Sequence, residues 1–139
     1  AAKILHVGPS GAGNVAKLVN NLLVAAHMLT TGEGLRLAEA AGVDPEAVLR
    51  AVNAASGKSF LSEVHFPTWI MSDRFDSGFS MGLMRKDVRL AGEMADAFGV
   101  EMPLSSRVRE LWKESAERLP DAEDFTRMGA FRASEETGR

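Results

Sequence analysis

Asn14-Val15-Ala16-Lys17-Leu18-Val19-Asn20-Asn21-Leu22-Leu23-Val24-Ala25-Ala26-His27-Met28-Leu29 opens a helical pattern that continues to about Ala41. Val15, Leu18, Val19, Leu22, Leu23, Ala26, Leu29 and, further on, Leu37 populate nearly every face of that helix. A helix apolar all round is buried or sandwiched between partners. Asn20, Asn21 and His27 interrupt the apolar run, which is also too short to span a bilayer. Gly32 and Gly34 weaken the helix locally, each by about 1 kcal/mol relative to Ala, and Gly42 is a natural stop.

Before this helix, residues 3–7 form a short apolar run with little helical pattern. It leads into Gly8-Pro9-Ser10-Gly11-Ala12-Gly13, which is loop chemistry. After the helix, Asp44-Pro45 reads as an N-cap followed by the first helical position, opening a helix through Ala55. Ser56-Gly57-Lys58-Ser59 is a turn. The apolar stretch from Phe60 to Met71 contains Pro67 and reads as a broken helix, with 72–78 a loop. Ser80 can cap a helix running to Phe98, ended by Gly99. Further helices are expected over about Leu104–Leu119 and Ala122–Arg132, before a polar tail. No βαβ alternation follows the opening residues, so the pattern predicts one all-α domain over 1–139, a helical bundle with one long N-terminal helix.

Composition fits that class and narrows the function. The 139 residues can bury a real core, removing roughly two-thirds of the unfolded chain's surface from water. Sixteen Lys and Arg against nineteen Asp and Glu give a formal charge of −3, which argues against nucleic acid and anionic membranes as partners. No cysteine is present, which excludes disulfide scaffolds, thiolate catalysis and Cys-based metal sites. His6, His27 and His65 are not at ligand spacing, so no metal site is expected, and they cannot be argued into a Ser-His-Asp arrangement. No signal-peptide pattern opens the chain, and a cytoplasmic setting is the expectation. The chain starts without Met, directly in a strand-like run, and reads as a piece of something larger.

Two polar islands on apolar helices are the places where chemistry could sit. Gly8, Gly11 and Gly13 are spaced GxxGxG, the reverse of the dinucleotide fingerprint, and lack its acidic residue after a second strand. On local features they form a tight turn feeding a helix N-terminus. Lys17 and Asn21 follow, four residues apart and therefore on one helical face. The first carboxylate in the chain is Glu33, so Lys17 has no local anionic partner. An unpaired lysine in the first turns of an apolar helix is a candidate proton carrier, and Asn21 offers hydrogen bonds beside it without adding charge. The plain alternative is a lysine that snorkels to solvent and an asparagine that caps something buried.

The second island lies after Ser80. Leu83, Asp87, Leu90 and Met94 share one stripe, so Asp87 occupies a position the pattern assigns to the core. A buried carboxylate needs donors or a cation. Lys86, with Arg85 and Arg89, forms a basic cluster whose default is a solvated face, and Phe79 is as readily plain core. Glu123 and Asp124 read as a solvated pair near the polar tail.

Taken together, the islands carry a resemblance. Gly8-x-x-Gly11-x-Gly13-x-x-x-Lys17-x-x-x-Asn21 resembles the catalytic segment of the β-hydroxyacid dehydrogenases, the 3-hydroxyisobutyrate and, more distantly, 6-phosphogluconate dehydrogenase family. Phe79-Ser80-Met81-Gly82-Leu83-Met84-Arg85-Lys86-Asp87-Val88-Arg89-Leu90-Ala91 is similar to its Phe…Leu-x-x-Lys-Asp-Leu-x-Leu-Ala motif, and Gly42-Val43-Asp44-Pro45 and Ser56-Gly57 also fit. The similarity runs from about Lys3 to Phe131.

The resemblance implies an N-terminal Rossmann domain binding NAD or NADP, a long connecting helix, and a C-terminal all-helical domain. This chain looks like the helical domain alone. It further implies Lys17 as the catalytic acid/base, Asn21 as a substrate-positioning residue, and Phe79 and Asp87 as residues of the same substrate cleft. Lys86 is implied as the lysine reaching the cofactor. The implied parent interconverts a short 3-hydroxy acid and its semialdehyde or keto acid, takes a small carboxylate-bearing substrate, and forms a homodimer or tetramer through the helical domain. The Rossmann fingerprint and the Ser-Gly-Gly substrate loop are not found before Lys3, so this chain alone is expected to be inactive. The contrasting reading is a non-catalytic helical dimerisation or interaction module, against which the retained Lys17 argues. A third reading, a binder of acidic substrates without redox chemistry, has only the carboxylate-free opening in its favour.

Overall fold

A computed structural model of the chain describes residues 11–133. The apolar run over 3–7, Gly8 and the polar tail lie outside the described residues. The long first helix, α1, spans Ala12–Ala40, and Gly11 precedes it in the left-handed region at φ 92°. That glycine starts the helix by its backbone alone, as no side chain caps it. At 29 residues α1 is about 44 Å long, enough for every other long element to pack against it.

Local sequence chemistry sets the next boundaries. α2 spans Pro45–Asn53, with the Asp44 carboxylate accepting from the Glu46 N–H at 3.2 Å. α3 spans Met81–Phe98, with Ser80 Oγ accepting from the Leu83 N–H at 3.1 Å and Gly99 ending it at φ 67°. α4 spans Pro103–Glu114.

Three segments depart from the expected pattern for non-local reasons. The broken helix is a π-helix over Leu61–Ile70, with Pro67 inside it. In that register the N–H that Pro67 lacks would have met the Ser62 carbonyl. Asn53 Nδ2 donates to that carbonyl instead, at 2.8 Å, while Ser62 Oγ donates to Asn53 Oδ1 at 2.6 Å. The helix expected to reach Leu119 ends at Glu114 and tightens into a 3₁₀ turn over Ser115–Glu117. The helix expected over 122–132 is a 3₁₀ segment, Phe125–Ala130. It is pinned close to the chain entering α3: the Phe125 N–H donates to the Phe79 carbonyl at 2.8 Å, and Met81 N–H to the Glu123 carbonyl at 2.7 Å.

The core gathers on one side of α1. Ala25, Met28, Leu29 and Leu35 meet Phe66 and Ile70 of the π-helix, Met81, Met84 and Val88 of α3, Trp112 of α4, and Phe125 and Met128. Trp112 is fully buried, and its indole N–H donates to the Ala25 carbonyl at 3.2 Å. Gly32 does more than weaken α1, because a Cβ there would run into the Gly129 carbonyl. Backbone meets backbone at that point, where any side chain would push the last segment off the helix.

The expected stripe on α3 is corrected by the packing. Met81, Met84, Val88 and Ala91 are the buried positions, whereas Leu83 is half exposed. Asp87 is buried all the same, at 6% exposure, on the edge of that stripe. Nor is α1 covered all round, since Val15, Val19 and Leu23 are exposed on its first half.

Candidate active site

Lys17 stands in the second turn of α1, exposed, on the same face as Asn21 one turn on. The apolar setting expected around Lys17 is not found among the described residues, because Leu18, its neighbour, is the one that turns into the core. Asn21 is half-buried where α1 packs on α3, and its Nδ2 donates to Asp87 Oδ2 at 2.6 Å. That bond joins residues 66 apart in sequence and is the partner the misplaced-looking aspartate required. Asn20 Nδ2 donates to Asn21 Oδ1 at 3.3 Å from the exposed side. Lys86 precedes Asp87 on α3 and is exposed. Among the described residues neither Lys17 nor Lys86 has an ion-pair partner.

Of the five residues singled out in the sequence, the structure joins Asn21 and Asp87 across the α1–α3 seam, while Lys17 is exposed one turn before Asn21 on α1 and Lys86 is exposed beside Asp87 on α3. Phe79 is placed otherwise. It lies before α3, half-buried, its ring edge-on to Phe125 at 5.4 Å between centroids. The groove of about 210 Å³ lined by Gly32, Leu35, Phe66 and Ile70 holds none of the five. The seam is an open face of α1 and α3.

Two residues read as solvated in the sequence are structural. Arg85 is nearly buried, donating to Ser115 Oγ at 2.8 Å, to the Leu119 carbonyl at 2.7 Å and to Asp121 at 2.7 Å. It ties α3 to the chain just past the end of α4. Asp124 accepts from Ser77 Oγ at 3.0 Å, from the Gly78 N–H at 2.9 Å, from the Thr126 N–H at 3.1 Å, and from the Thr126 hydroxyl. Burial alone would raise its carboxyl, but the bonds from Thr126, Gly78 and Ser77 outweigh that and hold it below the usual carboxylate range. An Asp-x-Thr spacing ahead of a short helical turn is a local signal that could have exposed this cap.

Comparison with known proteins bears on what the seam is for. Residues 11–131 match the family model described as NAD-binding of NADP-dependent 3-hydroxyisobutyrate dehydrogenase. The chain is similar to 2-(hydroxymethyl)glutarate dehydrogenase of Eubacterium barkeri, 36% identical over 79% of this chain and 36% of that protein. It is 33% identical to the probable mitochondrial 3-hydroxyisobutyrate dehydrogenase of Arabidopsis thaliana, over 88% of this chain and 37% of that one. The structure of Mycobacterium tuberculosis 3-hydroxyisobutyrate dehydrogenase with L-serine superposes with a TM-score of 0.81 at 30% identity, covering 91% of this chain and 45% of that one. The chain therefore spans less than half the length of these relatives. Among the described residues no helix is long and apolar enough to cross a membrane. With the match covering nearly all the described residues and the α1–α3 seam inside it, the chain belongs to the 3-hydroxyisobutyrate dehydrogenase family of β-hydroxyacid dehydrogenases.

Proposed function

We propose that this chain is the helical half of an NAD(P)-dependent dehydrogenase that interconverts a short 3-hydroxy acid and its semialdehyde or keto acid. A dinucleotide-binding domain outside these 139 residues completes the enzyme in this reading. The observation that carries it is the Asn21–Asp87 bond between the packed helices α1 and α3, near which, in sequence, Lys17 and Lys86 stand exposed.

The residues present fit a nicotinamide cofactor in part. Lys86 is an exposed cation with no carboxylate partner among the described residues, suited to an anionic dinucleotide. The bound cofactor would supply or accept the hydride. Lys17 handles the proton: its Nζ gives one to the substrate's carbonyl oxygen in reduction and takes one from the hydroxyl in oxidation. Asn21 has a second N–H not committed to Asp87, which donates to a substrate oxygen and holds it within reach of Lys17. Phe79 and Asp87 complete the substrate side in this reading, Phe79 as an apolar edge and Asp87 from behind Asn21. The exposed Val15, Val19 and Leu23 give α1 an apolar strip suited to a further domain or to a second copy in a dimer or tetramer.

The test is Lys17→Met in the full-length product of the gene, assayed over short hydroxy acids with NAD and NADP. Loss of turnover by about 10²- to 10⁴-fold with cofactor binding retained is the expected result. Unchanged turnover would discard Lys17 as the acid/base and favour a non-catalytic interaction module.

A further inference from the structure

Asp87 does more at the seam than fill a polar gap. A carboxylate only accepts, so the Asn21 atom 2.6 Å from its Oδ2 is the amide nitrogen, donating. The amide is planar, and fixing Nδ2 against α3 fixes Oδ1 on the other side. There the exposed Asn20 donates to it at 3.3 Å, a long bond between surface neighbours that a better donor can displace. Residues 17, 20 and 21 stand three and four apart on α1, so Lys17 belongs to the same patch as that oxygen.

We propose that Asp87 is a positioning residue that locks the Asn21 amide, so that Asn21 Oδ1 becomes the acceptor that holds Lys17 Nζ. The inference rests on the function proposed above. Both states of the amine carry N–H donors, so one bond to Oδ1 serves both directions of reaction. In reduction the ammonium keeps another N–H for the substrate's carbonyl oxygen. In oxidation the neutral amine keeps its lone pair for the hydroxyl proton. The remaining N–H of Asn21 stays free for the substrate. Reversing the amide would put its oxygen against the Asp87 carboxylate, oxygen to oxygen, and leave Lys17 facing N–H groups; the buried carboxylate forbids that arrangement.

Two measurements test this. In the 139-residue chain, ¹⁵N NMR of the Asn21 side-chain amide should show one proton shifted downfield and slow to exchange, lost in Asp87→Leu, which has no acceptor, and kept in Asp87→Glu. In the full-length enzyme, Asp87→Leu should lower kcat by about 10- to 100-fold with KM for the hydroxy acid within about threefold, and Asp87→Glu should recover most of the rate. Val88→Ala, a neighbouring core change that also lowers stability, should leave kcat near wild type. An Asp87→Leu enzyme that behaves like Val88→Ala, or an Asn21 amide indifferent to Asp87→Leu, overturns the proposal. Should Asp87→Leu fail to fold, the same amide signal and kcat in Asp87→Glu decide it, and loss of both there overturns it. Lys17→Met in parallel separates the claims. A dead Lys17→Met beside a wild-type-like Asp87→Leu removes the positioning role alone, whereas an active Lys17→Met removes the function reading and this inference together.

Discussion

Asp87 and Asp124 are two carboxylates withdrawn from solvent to different degrees and supported in opposite ways. Asp124 is half-buried and accepts from two backbone N–H groups and two hydroxyls, all supplied by Ser77, Gly78 and Thr126 around it. Asp87 is more deeply buried and has one donor among the described residues, the side chain of Asn21 on another helix. A carboxylate satisfied by backbone and hydroxyl donors stabilises a turn. One that is buried with a single side-chain partner contributes little to stability for its desolvation.

The contrast can be broken experimentally, starting with the larger effect. Asp124→Ala removes the cap of the last segment and leaves its donors unpaired, so chemical denaturation should show a loss of about 2 kcal/mol or more. Turnover should follow the folded fraction and nothing else. If Asp124→Ala unfolds nothing, the cap is ornamental and the contrast disappears.

Acid should find the same region next. The folded Asp124 carboxyl lies below its unfolded value of 3.8, so its stabilisation is complete above that pH and is lost as pH falls through the folded value. Asp124→Asn should therefore be less stable than wild type at neutral pH, with the two converging in acid; parallel stability curves down to about pH 2 would contradict this. His65 works at a milder pH. Its ring packs between Phe60, Trp69 and Phe125, and burial lowers its pKa from 6.5 more than the Phe60 backbone and Asp124 raise it. The folded protein thus takes up that proton less readily than the unfolded chain. Stability is full above about pH 6.5 and declines as pH drops through the folded value, and His65→Phe should flatten this part of the profile.

The smallest effect is expected at the seam. Asp87→Leu exchanges a costly buried carboxylate for apolar volume and should change stability by less than about 1 kcal/mol in either direction. A loss as large as that of Asp124→Ala would make Asp87 a structural residue like its counterpart.

What could be read from the sequence divides along the same line. The start of α2 and both limits of α3 are local, written in Asp44-Pro45 and in Ser80 and Gly99, and the structure keeps them, while α2 ends at Asn53, two residues before Ala55. Asp87 is legible because a carboxylate on an apolar stripe is costly without a partner, and Lys17 and Asn21 because they share one face of an apolar helix, whereas Lys86 is marked by the family motif alone. The π register over 61–70 was hidden because it depends on Asn53 reaching the Ser62 carbonyl. The turn that follows α4 holds Arg85 from another helix, and the short last segment pairs with the chain before α3. Such partners are distant in sequence, and periodicity carries no record of them.

The bond from the Trp112 indole to the Ala25 carbonyl also has a consequence for how the domain comes into being. It joins residues 87 apart, and the Asn21–Asp87 bond, which starts one turn earlier on α1, joins residues 66 apart. Chain closure of this length is slow compared with helix growth. α1 can therefore coil early, but Asn21 does not meet Asp87 until α3 has been made and folded back, and α4 joins α1 later in the chain through Trp112. Trp112 becomes buried at that last step, so stopped-flow fluorescence from this residue, with Trp69 replaced by Phe, would time the arrival of a competent seam.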